Sequence, residues 1–305
     1  LENQQNYCKG GLSMNIRKLL LILPATALLL AGCGPRTSDD SVEVLRFSLI
    51  PADDAAEMLR AYEPVKEYLE GKLGIPVELT VTTDYTAAIE AMRSGHTEMG
   101  WFGPFSYVLA AKEAGAEAVA VGVRRDSGVS TYRSVIVTGA DSGISALEDL
   151  KGRTFAFVDP ASTSGNLIPR KMMIENGIDP DVDLSTVAYS GTHNAGLLAV
   201  ANGSVDACAT SDNSYNRMVE AGEIDPNVSV IIHASDPIPG SPIAVRGGLP
   251  DALKKQIQEA LVAMDEQTIT KVDGWGSIAR YEAVGDSTYD IIRKTAEILQ
   301  MDLSQ

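Results

Sequence analysis

Apolar positions along the chain follow two alternating rhythms. Short runs rich in β-branched and aromatic residues at 44–50, 77–81, 98–102 and 119–123 read as strands, while the longer stretches between them repeat apolar residues every three or four positions. Between 55 and 73, Met58, Leu59, Tyr62, Val65, Tyr68 and Leu69 fall on one helical face, and Asp84 stands where a side chain caps a helix running to Arg93. Strand–helix alternation of this kind predicts an α/β fold whose sheet is parallel and covered by helices on both faces.

A second unit of the same type begins near Val137. It contains a short helix at 147–153 stopped by glycine, strands at 154–158, 187–189, 206–210, 228–233 and 243–246, and helices at 166–175 and 194–201. Beyond Pro250 the pattern reads as helical to the end, with Leu253, Ile257, Leu261 and Met264 forming a stripe. A chain of 305 residues is near the limit for one core. The expectation is therefore two α/β lobes, 43–136 with 245–305 and 137–244, the C-terminal helical segment packing back on the first lobe.

The residues before 43 belong to neither lobe. Arg17 and Lys18 precede an uncharged apolar run at 19–30, too short for the ~20 residues a spanning helix needs, and Leu30-Ala31-Gly32-Cys33 follows. This looks like a bacterial lipoprotein signal peptide. It implies a leader at 14–32, lipidation of Cys33 and a polar linker at 33–42, so the protein is expected in the cell envelope, outside the cytoplasm, anchored to the membrane by lipid. Met14 is a natural start, and Lys9-Gly10-Gly11 is what a purine-rich ribosome-binding stretch gives when translated; residues 1–13 are expected to precede the true product.

Charge and cysteine count narrow the function. With 25 Lys+Arg against 41 Asp+Glu and a formal charge of −16, the chain is unsuited to nucleic acid or anionic lipid surfaces, though not to a discrete pocket for a small anion. Cys8 lies upstream of Met14 and Cys33 is taken by lipid, which leaves Cys208 in an apolar context as a buried, inert thiol. Enzymatic signatures are weak. Gly274-Trp275-Gly276-Ser277-Ile278-Ala279 fits a dinucleotide fingerprint but follows a helical pattern instead of a strand. His96, His193 and His233 lack metal-ligand spacing, no phosphate loop or nucleophile elbow occurs, and the pairs Asp39/Asp40 and Asp53/Asp54 read as solvated surface or a helix start. Neither a metal nor a cofactor is called for, no catalytic residue is assigned, and a monomer that is not an enzyme is expected.

The informative segment is Phe157-Val158-Asp159-Pro160-Ala161-Ser162-Thr163-Ser164-Gly165-Asn166. A strand ends, a proline turn follows, and consecutive hydroxyls lead into a helix. The first N–H groups of a helix lack intrahelical acceptors and the dipole is positive there, so an oxyanion suits the place. An ordinary cap needs one hydroxyl; Ser162, Thr163 and Ser164 together point to a tetrahedral anion.

Asp159-Pro160-Ala161-Ser162-Thr163-Ser164-Gly165, with Trp101-Phe102-Gly103-Pro104-Phe105-Ser106-Tyr107, Tyr132-Arg133-Ser134-Val135, Gly191-Thr192-His193-Asn194-Ala195, the 198–207 segment and Ile238-Pro239-Gly240-Ser241-Pro242-Ile243, resembles the phosphonate-binding proteins of ABC importers, some of which take phosphite or related phosphorus oxyanions. The resemblance implies a type II periplasmic-binding-protein fold, two α/β lobes closing on the ligand about a two-segment hinge, with an ABC permease and its ATPase as partners. It puts the phosphonyl group against Tyr85, Tyr132, Ser162, Thr163, Ser164 and His193. Family members that hold an aminoalkyl phosphonate use acidic residues for the amine. Here one such position is the neutral Ser241; the other falls near 212–215, with Ser214 the simplest alignment and Asp212 the first candidate for a carboxylate. A buried ammonium without a carboxylate is costly, which favours phosphite, methylphosphonate or phosphate. The rival readings are a binder of another anion such as sulfonate or nitrate on the same fold, a ligand sensor docking on a membrane kinase, and, least favoured, an enzyme on a related two-lobe fold.

Overall fold

A computed structural model describes residues 42–269 and 278–301. The leader, Cys33 and the linker up to residue 41 lie outside the described residues, as do residues 270–277, which hold most of the dinucleotide-like glycine motif. The first lobe begins with β1 (Leu45–Leu49), α1 (Ala55–Leu73), β2 (Val77–Val81), α2 (Tyr85–Arg93), β3 (Met99–Trp101), α3 (Pro104–Ala114) and β4 (Glu117–Arg124). Asp54 caps α1 by accepting from the Ala56 and Glu57 amides at 3.0 Å, and Asp84 caps α2 by accepting from Ala87 at 2.7 Å. Met58, Tyr62, Val65 and Leu69 of the predicted face of α1 pack against the sheet, each contributing roughly 1.5–3 kcal/mol of hydrophobic stabilisation, whereas Leu59, expected on the same face, is exposed.

The chain then crosses through β5 (Thr131–Tyr132) into β6 (Ser134–Gly139), β7 (Thr154–Phe157), α4 (Ile168–Glu175), β8 (Thr186–Tyr189), α5 (His193–Ala201), β9 (Ala207–Ser211), α6 (Asp212–Glu220) and β10 (Ser229–Ala234). It returns through β11 (Ile238–Pro239) to β12 (Pro242–Val245), α7 (Asp251–Val262), α8 (Glu266–Ile269), β13 (Ile278–Ala283) and α9 (Asp290–Ile298). One sheet has the order β13-β4-β12-β3-β1-β2 and the other β10-β6-β9-β7-β8. In the second sheet, Phe155 and Phe157 feed a core under α4 while Ala156 faces a separate core under α5 and α6, the two-residue period of a strand covered on both faces.

Three expectations need correction. The sheets are mixed: β1 pairs in parallel with β2 and β3, and β7 with β8 and β9, but β12, β13, β6 and β10 run antiparallel to their neighbours. Strands β6 and β12 arrive from the other lobe and not through a helical crossover, so the rule that makes crossover strands parallel does not reach them. The C-terminal part is not wholly helical, since β13 joins the edge of the first sheet beside β4. The expected lobe boundaries, 136/137 and 244/245, cut through β6 and β12, each of which belongs entirely to one sheet.

The two crossings pair with each other. β5 and β11 form a two-stranded antiparallel ribbon, Ile238 opposite Tyr132, and Gly240 donates to Ser130 O at 2.7 Å. This ribbon is the two-segment hinge. A Cβ on Gly240 would lie 2.6 Å from the Ser130 oxygen, so the ribbon closes only around a residue without a side chain.

Candidate functional site

Both lobes and the hinge line a cleft of about 710 Å³. The Ser162–Ser164 turn forms part of its wall, and its local structure departs from an ordinary cap. Ser162 Oγ accepts from Gly165 N at 3.1 Å, but Leu167 N donates to Ser162 O at 3.0 Å, a five-residue spacing, so Thr163–Leu167 is a π-helical turn leading directly into α4. The helix thus starts earlier than the expected residue 166. Gly165 permits this: an added Cβ would sit 2.3 Å from Val158 Cγ2. Asp159 braces the turn by accepting from Ala161 N at 2.8 Å, as does Asn166, whose amide donates to Pro160 O at 2.7 Å. Ser162, Thr163 and Ser164 are each at most 2% exposed, so the amides at the head of the π turn face a place with little water to satisfy them.

Tyr85, at the first position of α2, reaches the turn from the other lobe. Its phenol faces Ser162, and its burial beside Asp159 and Asp53 holds its pKa well above the ordinary value, so it remains a donor. On the hinge ribbon, the Tyr132 phenol faces Ser164, Thr163 and Ser241, and burial pushes its pKa up to about 12. His193 opens α5 with its ring Nδ1 3.1 Å from Thr210 Oγ1. Burial, helped by the Arg217 charge, lowers its pKa to about 3, so it is a neutral imidazole and no counter-cation. In the tautomer where Thr210 donates to Nδ1, Nε2–H is left as a donor. The expected anion-binding residues Tyr85, Tyr132, Ser162, Thr163, Ser164 and His193 all line this one cleft, together with Ser241.

Asp212 does not join them. One of its oxygens takes Arg124 Nη1 at 3.0 Å and the other accepts the Arg133 amide at 3.0 Å, so its charge is engaged between β4 and the start of α6; it is not itself part of the cleft lining, although the Tyr132 phenol feels its charge. The candidate carboxylate for an amine is thus already paired, while Ser214, the other residue aligned with that position, does line the cleft.

Sequence reasoning missed the charges that do reach the cleft. Arg124, Arg125 and Arg217 line it with Asp126 and Glu220, and so does Asp53, which is 3% exposed. The only signal in the sequence was the Asp53-Asp54 repeat: Asp54 is the cap of α1, and Asp53 is left to turn inward. Besides the Arg124–Asp212 pair, further contacts join the lobes. His193 N donates to Ala52 O at 2.8 Å, Phe105 N donates to Thr163 Oγ1 at 2.7 Å, and Arg217 Nη2 lies 2.5 Å from Asp53 Oδ1. Trp101 and Tyr281 add aromatic surface, and Cys208 is fully buried with its thiol pushed up to about 12 by burial. Among the described residues no group of three or more His, Cys, Asp or Glu is arranged to hold a metal ion, and no helix is long and apolar enough to cross a membrane.

Two α/β lobes closed by a hinge ribbon over a donor-rich cleft define a solute-binding protein of the type II periplasmic fold. More narrowly, the family described as ABC transporter, phosphonate, periplasmic substrate-binding protein matches residues 47–289, and the chain belongs to that family. It is 29% identical over 311 residues to the phosphate-import protein PhnD of Mycolicibacterium smegmatis, covering 92% of this chain and 95% of that protein. A binding protein component of an ABC phosphonate transporter from Pseudomonas aeruginosa superposes with a TM-score of 0.78 at 26% identity, over 84% of this chain and 86% of that one. PhnD1 from Prochlorococcus marinus, in complex with methylphosphonate, shares the fold with a TM-score of 0.78 at 19% identity, over 85% and 99% of the two chains.

Proposed function

We propose that this protein captures a small phosphorus oxyanion between its lobes and delivers it to an ABC permease, breaking no bond. The observation that carries the reading is the buried Ser162–Ser164 π turn, with the Tyr85 and Tyr132 phenols and the neutral His193 converging on the same cleft. These are preorganised donors in a site of low polarity, where hydrogen bonds to a charged oxygen are strongest. Binding favours the closed arrangement because the turn and Tyr85 come from different lobes and grip one anion together only when the lobes meet. Lipid on Cys33 keeps the protein beside the membrane that holds the permease.

The ligand's substituent is small and uncharged, or absent. Ser241 is neutral, Asp212 is engaged with Arg124 and Asp53 with Arg217, so an alkylammonium entering the closed cleft loses hydration at a cost of several kcal/mol unless it displaces an existing partner. The preference is phosphite or methylphosphonate first, phosphate weaker, because its further oxygen must find a partner, and aminoethylphosphonate weakest. Calorimetric titration with these four ligands tests the order. Tightest binding of aminoethylphosphonate, or no binding of any of them, contradicts it.

A further inference from the structure

Asp53 places a carboxylate in the wall of a cleft built for anions. It stands between β1 and α1 in the first lobe, and both partners of its side chain come from α6 of the second: Arg217 Nη2 at 2.5 Å from Oδ1, and the Ser214 hydroxyl. Ser211 donates to the Ser214 oxygen at 2.9 Å, which leaves the Ser214 proton free to turn toward Asp53. Burial raises the Asp53 pKa while Arg217 opposes the rise. Oδ1 of Asp53 is fully buried and, the Arg217 ion pair aside, has no partner in hydrogen-bond geometry, so the carboxylate keeps acceptor capacity. The neighbouring residue, Ala52, bonds the backbone of His193, and the Tyr85 phenol feels the Asp53 charge, so Asp53 stands beside the oxyanion-binding groups and not at the cleft's mouth.

We propose that Asp53 is the residue that selects phosphorus oxyanions over sulfur oxyanions, by accepting a hydrogen bond from the ligand's P–OH. The inference rests on the phosphorus-oxyanion reading of the cleft. Near neutral pH phosphite, phosphate and methylphosphonate can each present one protonated oxygen. Sulfate and sulfonates present none and turn a lone pair toward the carboxylate, leaving Asp53 without a donor and adding repulsion between like charges. Arg217 is what makes the filter work: its charge, 2.5 Å from Oδ1, favours the ionised, accepting form of Asp53, whereas a neutral acid would donate equally well to either class of oxyanion. The groups facing Asp53 are Arg217 and Ser214 on α6 and Tyr85 on α2, and only Arg217 among them carries a charge.

Methylphosphonate and methanesulfonate have nearly the same shape and differ in that proton, so the ratio of their affinities isolates it. Calorimetry on the wild-type protein should give a ratio of at least about 100 in favour of methylphosphonate. In Asp53→Asn, whose amide can donate, the ratio should fall to within about 10, mainly through tighter methanesulfonate binding. Release of the Arg217 charge in the variant strengthens both anions alike and cancels in the ratio. Equal affinities in the wild type overturn the proposal whether or not the variant folds, and so does a variant that keeps the full ratio. If the wild type binds neither ligand but does bind another anion, the phosphorus reading fails and this inference fails with it.

Discussion

Thr163→Val is the sharpest perturbation of the anion turn, because Thr163 Oγ1 acts across the cleft. Its oxygen accepts the Phe105 amide at the start of α3 at 2.7 Å, and its own proton is left for Tyr132 or for a bound oxygen. Valine fills the same space and does neither. On closure the Phe105 N–H is then buried without an acceptor, costing about 1–3 kcal/mol, and the anion loses a charge-assisted hydrogen bond of about 1.5–3 kcal/mol. Together these are about 2.5–6 kcal/mol, or roughly 10²- to 10⁴-fold in affinity. In an open form both groups meet water, so the penalty falls on binding more than on folding, and the melting temperature of the ligand-free protein should move little. Thr163→Ser keeps both hydrogen bonds and should bind within about threefold of wild type. Calorimetry with methylphosphonate reads both variants. A valine variant within about threefold of wild type, or a serine variant as weak as valine, refutes the reasoning.

Other parts of the fold have their own consequences. His193 is neutral in the fold with a pKa near 3, against 6.5 when unfolded, so between these values the unfolded chain binds a proton that the folded one does not. Its contribution to stability is therefore complete above pH 6.5 and is lost as the pH falls toward 3, at no more than about 1.4 kcal/mol per pH unit. His193→Gln should flatten the acid side of the stability curve in urea titrations across that range, and an unchanged slope contradicts this account. Gly240→Ala puts a Cβ 2.6 Å from Ser130 O in the hinge ribbon and should lower unfolding stability by about 1–3 kcal/mol, a result that an unmoved urea midpoint would negate. Cys33→Ser should release the processed protein from membranes in fractionation, whereas retention would point to another anchor.

Local signals in the sequence carried most of the fold. Asp84 capped its helix and Met58, Tyr62, Val65 and Leu69 turned inward because caps and helical periodicity depend only on neighbours a turn away. Strand direction did not, since β12 owes its antiparallel place to a crossing through the other lobe. β13 was missed because only Tyr281 is buried in a strand interrupted by Arg280 and Glu282 at the sheet edge, which erases the alternation. Three adjacent hydroxyls marked the turn as a candidate anion site, but the π turn beneath it depends on Gly165 meeting Val158. Asp53 and Arg217, distant in sequence and on different lobes, meet only once the hinge has closed, and Asp212 lost its candidacy to Arg124 in the same way. A lone Asp beside a capping Asp gives no sign of which way it points.

The central claim is that the Ser162–Ser164 turn is where the oxyanion is held. The most direct test is the crystal structure of the protein with methylphosphonate bound. The account predicts the phosphonate oxygens within hydrogen-bonding distance of the Thr163 and Ser164 amides and hydroxyls and of the Tyr85 and Tyr132 phenols, with the methyl group away from the turn. A phosphonate lodged instead against Arg124 and Arg125, with the turn occupied by water, contradicts it.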